Sequence, residues 1–434
     1  MQRFEVHSHT DESNIRNLDS INKIDKLIKK AQENGLSGIA ITDHESLGMH
    51  MKANRIGKEL KKEQSDFKIA LGNEIYLVNE RKNGQKYYHF ILIAKDKEGY
   101  KQLRKLSTNS WYYSYQDRGE RVPTLKSEVE YVIKQNPGHI IATTACLGGE
   151  LSTLIQALND AEDAFDTSTA KVYHQQIVDF VLWCKDVFGD DFYIECAPGC
   201  SKEQISVNNR LLAISKAFDV KMVIGTDSHY LSKEDRFVHA SYLNSKDAER
   251  ETASFYEYSY LQTEEEIQSH LNKCDLGIHY ETMVSNSFEI YNKIEYYDLS
   301  HTQKIPTAPI KDYPVTDKKI PDSCPIYKSL FSSDNIQKRF WANETYQGML
   351  EKGILNNQSL KRLETEANII EMISNNLNVC LYAYFNTFKY YIDLFWEKGS
   401  IVGPGRGSAT GFLSNYCLGI TQVNPVRWQL PYWR

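Results

Sequence analysis

The sequence lacks the features that mark secreted or membrane proteins. It contains 434 residues and eight cysteines, but no two cysteines form a Cys-x-x-Cys pair, so a disulfide framework is not indicated and a reducing setting is favoured. No apolar run approaches the length of a membrane-spanning helix, and the charged, histidine-containing first residues do not resemble a signal peptide. We find no internal repeat and no low-complexity tract. These absences predict a cytoplasmic protein with no membrane contact.

Charge of one sign is not in large excess. The chain has 51 Lys and Arg against 57 Asp and Glu, a formal net charge of −6, which argues against a broad basic surface for nucleic acid. Local basic stretches such as KELKKE are typical of solvated helix faces, or of contacts with nucleic acid on one side of the protein. A hydrophobic fraction of 41% suffices for a core, and the length favours two domains.

Two pairs of polar residues with identical spacing directly follow short apolar segments. His7 and His9 stand two apart in EVHSH, and Asp227 and His229 repeat the spacing in VIGTDSH. Because side chains alternate between the faces of a strand, residues two apart project to the same side and reach one point. A single His-x-His often arises by chance, but two such pairs favour a metal site.

Further candidate ligands also follow apolar runs. Asp43 and His44 come after Ile39 to Ile41, and Glu74 comes after Ile69 to Leu71. Short apolar runs with helices between them are typical of buried parallel strands, and in α/β barrels the reactive residues lie at the C-terminal ends of the strands. We therefore expect an α/β barrel with a metal site at that end.

Helical spacing is clearest between the first two predicted strands. Asp19 or Ser20 could cap the N-terminus of a helix, and Gly35 stands where a C-terminal cap belongs. The predicted strands are FEV, GIAIT, HFILIA, HIIATT, FYIE and KMVIGT, and the predicted helices span residues 20–34, 99–110 and 201–218.

A proline-rich stretch, KIPTAPIKDYPVTDKKIPDSCP, separates these elements from two further predicted helices, RLETEANIIEMISNNL and YAYFNTFKYYIDLFWEKG. A glycine-rich turn, IVGPGRGS, follows, and we expect a helix to begin at Ser408. Such a turn delivers backbone N–H groups that suit a phosphate. A capped turn that needs glycine only for its backbone angles is the alternative, but Arg406 inside the turn favours an anion site.

Taken together, these segments resemble the N-terminal part of the alpha subunit of bacterial or phage DNA polymerase III, the C-family polymerases. That family begins with a PHP (polymerase and histidinol phosphatase) domain and continues into a palm. The last of the shared motifs is the most specific, because PHP-class histidinol phosphatases lack it. The motifs are VHSHT, GIAITDHESL, NEIYL, HFILIAKDKEGYKQLRKLS, ATTACLGGE, FYIE, GTDSHYLSKED, YLQTEEEI and VGPGRGSATGFLSNYCLGITQVNP.

The resemblance implies a domain plan. Residues 1–300 would form a PHP-type distorted (β/α) barrel with phosphoesterase character and its metal site at the strand C-terminal ends. Residues 301–330 would form a proline-rich linker. Residues 331–434 would be mostly helical and would supply an incomplete, N-terminal portion of the palm, with a glycine-rich nucleotide-binding motif.

The resemblance also implies a multinuclear site of three ions, commonly zinc, manganese or iron. Asp19 fits the ligand set only if a short insertion is allowed, and Asp11 remains an alternative. Cys146 is either a ligand or a buried structural cysteine, and Asp43 would orient His44. The implied catalytic residues are His7, His9, His44, Glu74, Asp227 and His229, and the implied metal ligands are His7, His9, Asp19, His44, Glu74, His89, Cys146, Asp227 and His229.

The activity implied for the PHP domain is a 3′→5′ exonuclease, because neighbouring divalent ions suit phosphate-ester hydrolysis. The glycine turn would bind the incoming nucleotide through Gly403, Gly405, Arg406, Gly407 and Ser408. The carboxylates that bind catalytic Mg²⁺ would come later, but no Asp or Glu follows Gly407, so we expect no DNA synthesis by these residues alone.

The implied partners are a DNA primer-template, the remaining polymerase portion and other replisome proteins. Two other functions stay open. The chain could be a free-standing phosphoesterase similar to histidinol phosphatase, or a non-catalytic, metal-bound scaffold for a polymerase.

Overall fold

The apolar segments of residues 1–300 form a sheet, and the segments of helical periodicity pack around it. The structure is a computed structural model, and it describes residues 2–15, 18–116, 120–245 and 256–433. Contacts between residues divide the chain into two units, residues 1–300 and residues 301–434.

Within the described residues of the first unit, eight strands form one sheet in the order β1-β2-β3-β4-β8-β9-β10, with β7 paired to β3, and β5 and β6 form a separate hairpin. Ser8, just after β1, bridges Ser228, just after β10, which nearly closes the sheet into a barrel. The strands are β1 (Phe4–Glu5), β2 (Gly38–Ile41), β3 (Lys68–Val78), β4 (Tyr88–Ala94), β5 (Tyr115–Gln116), β6 (Glu120–Arg121), β7 (Pro123–Leu125), β8 (Ile140–Thr143), β9 (Phe192–Cys196) and β10 (Met222–Ile224).

Most helices pack on one face of this sheet, and α10 (Tyr280–Lys293) contributes to the core on the other face. Ile39 and Ile41 point into the larger apolar core, which includes most of the helices. Ala40, between them, points to a smaller core that includes Ile290, as the alternation of side chains along a strand requires. The helices are α1 (Ile24–Glu33), α2 (His50–Lys62), α3 (Lys97–Tyr112), α4 (Lys126–Gln135), α5 (Glu150–Asp163), α6 (Thr167–Phe188), α7 (Lys202–Phe218), α8 (Arg236–Leu243), α9 (Glu264–Asn272) and α10 (Tyr280–Lys293).

Strand β4 runs antiparallel to both of its neighbours, β3 and β8, which differs from the parallel arrangement predicted from the apolar runs. An apolar run shows that a strand is buried, but it does not show its direction. Here β3 and β4 are consecutive, and only antiparallel strands can be joined by so short a connection. As a result His89, at the start of β4, pairs with Tyr76, near the end of β3.

Helix α1 begins four residues later than predicted, and neither Asp19 nor Ser20 caps it. The residue at the N-cap position is Lys23, whose side chain makes no capping bond. Ser20 Oγ instead donates to the carbonyl oxygens of His9 and His229, at 3.1 and 3.0 Å. The polar side chains before α1 therefore connect the segments around the candidate site. Helix α7, by contrast, begins as predicted, and Ser201 caps it.

The second unit is helical in its described part. Residues 295–321 contain no helix or strand, and the first helix starts with proline at its first position, where a missing N–H costs nothing. The core contains the buried rings of Tyr327, Trp341 and Tyr382. Its helices are α11 (Pro325–Leu330), α12 (Ile336–Glu351), α13 (Asn357–Leu377), α14 (Tyr382–Glu397) and α15 (Leu413–Cys417).

The helix after the glycine-rich turn begins at Leu413, not at Ser408 as predicted. Residues Gly407–Gly411 form a 3₁₀ turn instead. Glu366 is fully buried, and its carboxylate accepts the N–H groups of Leu413 and Ser414 at 2.6 and 2.8 Å. This carboxylate fixes the helix start, so the first N–H groups of α15 have a protein partner.

No helix among the described residues has both the length and the apolar composition that a bilayer crossing requires.

Buried His50 makes the stability of the first unit depend on pH. Its Nε2–H donates to the carbonyl of Gly72 over 2.8 Å, and burial lowers the pKa of His50 from 6.5 to about 4. Between these values the unfolded chain binds a proton that the folded protein excludes. We therefore expect this group to lower the free energy of unfolding as pH falls, by about 3 kcal/mol in total. Urea unfolding at pH 6.5 and 4.5 should show a smaller difference for His50→Asn than for the unmodified protein, and equal differences would contradict this assignment.

Candidate metal centre

The two pairs with identical spacing meet where the sheet closes. His7 and His9 follow β1, and Asp227 and His229 follow β10. The N–H of His9 donates to the carbonyl of Ser228 over 3.0 Å, which holds the two segments side by side. Asp227 Oδ1 lies 3.1 Å from His7 Nε2 and 3.2 Å from His9 Nε2. The spacing seen in the sequence therefore brings these side chains to one point.

Glu74 of β3 lies at the centre of the group. Its Oε2 lies 2.9 Å from His44 Nδ1, 3.0 Å from His9 Nε2 and 3.4 Å from His7 Nε2. Its Oε1 lies 2.7 Å from His89 Nδ1. His89 reaches this point because β4 is antiparallel and starts at the end of the sheet where the other strands finish.

Asp19, and not Asp11, reaches the cluster. Asp19 Oδ2 lies 2.6 Å from His44 Nε2 and 3.2 Å from His229 Nε2, and the carboxylate accepts a hydrogen bond from Tyr256. Asp11 instead pairs with Lys23 near the surface.

Asp19→Asn is expected to weaken metal binding by about 10- to 100-fold, the range typical when a group that supports a metal site is removed. The matched variant Asp11→Asn should leave affinity unchanged, because that carboxylate contacts Lys23. Competition of each purified variant with a fluorescent chelator measures the affinity. Equal losses in the two variants would contradict the assignment of Asp19.

Cys146 lies at the edge of the cluster, with Sγ 3.6 Å from His89 Nδ1. Burial, together with the nearby charges of Asp227 and Glu74, raises the pKa of the Cys146 thiol well above its usual value. A neutral thiol at this position fits a structural cysteine, and a bound cation would be needed to stabilise the thiolate.

In three of the histidines, a hydrogen bond at Nδ1 orients the imidazole so that Nε2 faces the cluster. His7 Nδ1 bonds to Glu195 at 2.6 Å, His9 Nδ1 to Ser13 at 3.1 Å, and the Nδ1 of His229 to the carbonyl of Asp227 at 2.8 Å. A proton on Nδ1 leaves the Nε2 lone pair facing inward, which is the usual arrangement of histidines that bind metals.

Sequence reasoning missed the role of Glu195. Its other oxygen accepts a hydrogen bond from Thr143 at 2.5 Å, so the carboxylate is fixed while it holds the His7 ring. The signal was present, because Glu195 follows the apolar segment Phe192 to Ile194 just as Glu74 follows its own apolar run. Asp43, which was expected to orient His44, does not contact that ring through its carboxylate but supports Ser13, which bonds to His9 Nδ1. Its carboxylate accepts hydrogen bonds from Thr10 and Ser13.

Three residues other than glycine have a left-handed backbone beside the cluster. Asp227 has φ of 46°, Glu45 has φ of 51° and Ala145 has φ of 57°, and the last two adjoin His44 and Cys146. Left-handed backbone is unfavourable for residues other than glycine and is often retained at functional sites. The fold therefore maintains a strained backbone at several points around the cluster.

The acids and imidazoles of the cluster shift each other's pKa values in opposite directions. Burial alone would lower the pKa of His7, but nearby carboxylates, Glu195 above all, raise it well above its usual value. Burial alone would raise the pKa of Glu74, but the surrounding imidazoles, with His89 the largest contributor, hold it well below its usual value. A divalent cation bound here would displace the ring protons and keep the carboxylates ionised.

The donor set suits divalent cations. Three overlapping groups have ligand atoms within 4.8 Å of one another. His44 Nδ1, Glu74 Oε1 and Asp227 Oδ1 are buried and lie close to other ligand atoms, but these contacts do not have hydrogen-bond geometry, and buried polar atoms seldom remain without a hydrogen bond or an ion. Imidazole and carboxylate ligands together fit zinc, manganese and iron. The three groups are His9, His44 and His229; His7, His9, Glu74 and Asp227; and His44, Glu74 and His89.

The predicted nucleotide-binding residues belong to the second unit. Gly403, Gly405, Arg406, Gly407 and Ser408 form an exposed loop, in which Gly405 has φ of 123° and Gly407 has φ of 57°. Both angles favour glycine. The loop geometry therefore explains two of the three glycines without a ligand.

Two family profiles match the chain. They are the PHP domain, over residues 5–198, and the bacterial DNA polymerase III alpha NTPase domain, over residues 332–434. The chain is 38% identical over 454 residues to the probable DNA polymerase YorL of Bacillus subtilis strain 168, covering 99% of this chain and 35% of that protein.

A second similar protein is the DNA polymerase III subunit alpha of Aquifex aeolicus, 28% identical over 449 residues that cover 97% of this chain and 34% of that protein. The chain thus spans about a third of the length of the relatives it matches. Among solved structures, an amidohydrolase from Chromobacterium violaceum matches with a TM-score of 0.32 and 13% identity, covering 52% of this chain and 87% of that one.

Proposed function

Because the chain belongs to the family of DNA polymerase III alpha subunits and carries a PHP domain, we propose that its first unit is a metal-dependent phosphodiesterase. In this proposal it removes nucleotides from the 3′ ends of DNA during replication in the cytoplasm. The observation that supports the proposal is the overlap of three donor groups, two of which share Glu74. Single structural metal sites need one closed donor set, whereas overlapping sets suit several neighbouring ions.

Nine residues would hold three ions of zinc, manganese or iron. Bound ions of this kind generate hydroxide at neutral pH and offset the charge of a phosphodiester. The protein's own contribution is to fix the donors. Glu195 and Ser13 hold the rings of His7 and His9. The nine are His7, His9, Asp19, His44, Glu74, His89, Cys146, Asp227 and His229, of which His7, His9, His44, Glu74, Asp227 and His229 would take part directly in catalysis.

The substrate would approach through a cavity of about 580 Å³ that His89 helps to line. Lys86 lines one wall and supplies an ammonium group for a phosphate, whereas Asp160 and Glu203 line the cavity as well. Because these carboxylates repel a polyanion, a DNA strand is expected to run along the wall of Lys86.

The second unit would contribute to the polymerase. We assign residues 301–330 to a linker and residues 331–434 to the start of the palm, whose exposed loop from Gly403 to Ser408 would contact nucleotide phosphates. DNA primer-template, replisome proteins and Mg²⁺ belong to the activity proposed for the whole polymerase. Because no Asp or Glu follows Gly407, the carboxylates that bind Mg²⁺ in two-metal nucleotidyl transfer would have to come from elsewhere.

A nuclease assay tests this proposal. The purified protein, loaded with Mn²⁺ or Zn²⁺, should shorten a 5′-labelled DNA strand from its 3′ end, on single strands and on mismatched primers, and a chelator should abolish the activity. Histidinol phosphate should be a poor substrate. Faster release of phosphate from histidinol phosphate than of nucleotides from DNA would instead favour a small-molecule phosphoesterase. Bound metal without cleavage of either substrate would favour a scaffold.

A further inference from the structure

Asp19 has four polar groups, and three of them are bonded to residues outside the cluster. Its N–H donates to Asn14 Oδ1 over 2.7 Å, and its carbonyl oxygen accepts from His239 Nε2 over 2.6 Å. Its Oδ1 accepts from the hydroxyl of Tyr256 over 2.8 Å. The fourth group, Oδ2, faces the imidazoles of the cluster. The surrounding residues therefore fix which oxygen of Asp19 is presented to a metal ion.

The ring of Tyr256 is itself held by its neighbours. Its edge contacts with His229 and His239 have distances of 5.2 and 5.1 Å between ring centres. Tyr230 stacks on His239 at 5.0 Å and donates its hydroxyl hydrogen to the carbonyl oxygen of Tyr256 over 2.7 Å. The hydroxyl that meets Asp19 therefore has a fixed position.

The hydrogen bond from Tyr256 limits how Asp19 can bind an ion. A carboxylate binds a metal ion through one oxygen or through both. Because the hydroxyl of Tyr256 occupies Oδ1, the carboxylate cannot turn or bind through both oxygens without losing this bond. A carboxylate that binds through one oxygen takes one coordination position instead of two, and catalytic metal sites need an open position.

We propose that Tyr256 is a positioning residue of the metal centre, whose hydroxyl makes Asp19 a ligand through Oδ2 alone. The inference rests on the proposed metal-dependent function and deepens it, because Tyr256 lies outside the set of proposed ligands. Partners of this kind orient the ligands of a metal ion and contribute about 10- to 100-fold to its affinity.

Tyr256→Phe tests the proposal, because it removes the hydroxyl and retains the ring contacts. Competition of the full chain, loaded with Zn²⁺ or Mn²⁺, with a fluorescent chelator should show one ion bound about 10-fold more weakly. At saturating Co²⁺, the visible absorption per bound ion should also fall, because cobalt ions of higher coordination number absorb more weakly. Circular dichroism establishes the folding of the variant. Unchanged affinity or an unchanged cobalt spectrum in the folded variant would overturn the proposal.

Tyr260→Phe is the matched control. Tyr260 also donates its hydroxyl hydrogen to a carboxylate, Glu266 Oε1 at 2.9 Å. Glu266, however, belongs to the capping box of α9 and to none of the donor groups. We expect the metal affinity and the cobalt spectrum of Tyr260→Phe to match those of the unmodified protein. A loss of affinity as large as that in Tyr256→Phe would overturn the proposal.

A double variant shows whether Tyr256 acts through Asp19. Asp19→Ala leaves the hydroxyl of Tyr256 no carboxylate to hold, so the addition of Tyr256→Phe should change the metal affinity by about twofold or less. A further loss of about 10-fold in the double variant would show that Tyr256 acts by another route, and would overturn the proposal.

These measurements separate the inference from the proposed nuclease. If metal binding depends on Tyr256 as expected but the loaded protein does not shorten DNA, the nuclease proposal fails and the inference stands. If the protein shortens DNA and Tyr256→Phe binds metal as the unmodified protein does, only the inference fails. An unmodified protein that binds no metal would overturn both.

Discussion

Glu74→Gln is expected to lower both the bound metal and the nuclease activity more than any other single substitution that preserves shape. Glu74 belongs to two of the three donor groups, and its two oxygens face different imidazoles. An amide at this position is therefore expected to weaken the binding of more than one ion. We expect the cleavage rate to fall by about 100-fold or more, since even residues that merely support metal ligands contribute about 10- to 100-fold. Elemental analysis and the nuclease assay measure the two effects.

The control for this substitution is Glu12→Gln. Glu12 is close to the cluster but bonds to Ser46, with Oε1 2.8 Å from Oγ, and belongs to none of the donor groups. We expect its metal content and rate to match those of the unmodified protein. Full metal occupancy and full activity in Glu74→Gln would exclude a central role for Glu74.

Glu366→Ala is expected to lower the free energy of unfolding of the second unit by about 3–5 kcal/mol, the cost of breaking a buried ion pair by removing one partner. The carboxylate of Glu366 accepts from two backbone N–H groups at the start of α15 and pairs with Arg362 at 2.9 Å. Alanine would leave all three donors without this partner. Hydrogen exchange of the α13 amides against denaturant measures the change.

Glu371→Ala, on the same helix, is the matched control. Glu371 pairs with Lys338 at 2.8 Å, but both side chains are partly exposed. Exposed and partly exposed pairs contribute about 1 kcal/mol or less. A loss in Glu366→Ala no larger than that in Glu371→Ala would show that burial of Glu366 does not matter to stability.

Much of the candidate site could be predicted because its residues follow strands. The apolar run before His44 and the one before Asp227 each predict a strand. Residues that follow such strands lie at the C-terminal end of the barrel, where the site is expected. His89 was named through the family resemblance, since its place at the start of a strand carries no such signal without knowledge of the direction of β4.

The remaining differences have a common cause, which is competition for polar side chains. Asp19 and Ser20 have the chemistry of helix caps, yet tertiary partners use both of them. Likewise Ser408 has the chemistry of a helix start, but the helix begins where the carboxylate of Glu366 meets the backbone. Local sequence preferences indicate which residues can cap a helix, but they do not reveal tertiary partners that lie far along the chain.

The bridge between Ser8 and Ser228 has a consequence for biosynthesis. Of the proposed ligands, His7 and His9 leave the ribosome first, but their partners Asp227 and His229 follow more than 200 residues later. Until then the nascent chain can offer a metal ion only part of its coordination sphere. Contacts so distant in sequence form slowly, because a long loop must close first. In the proposed site, loading with metal would thus be a late event, after nearly all of the first unit has been translated.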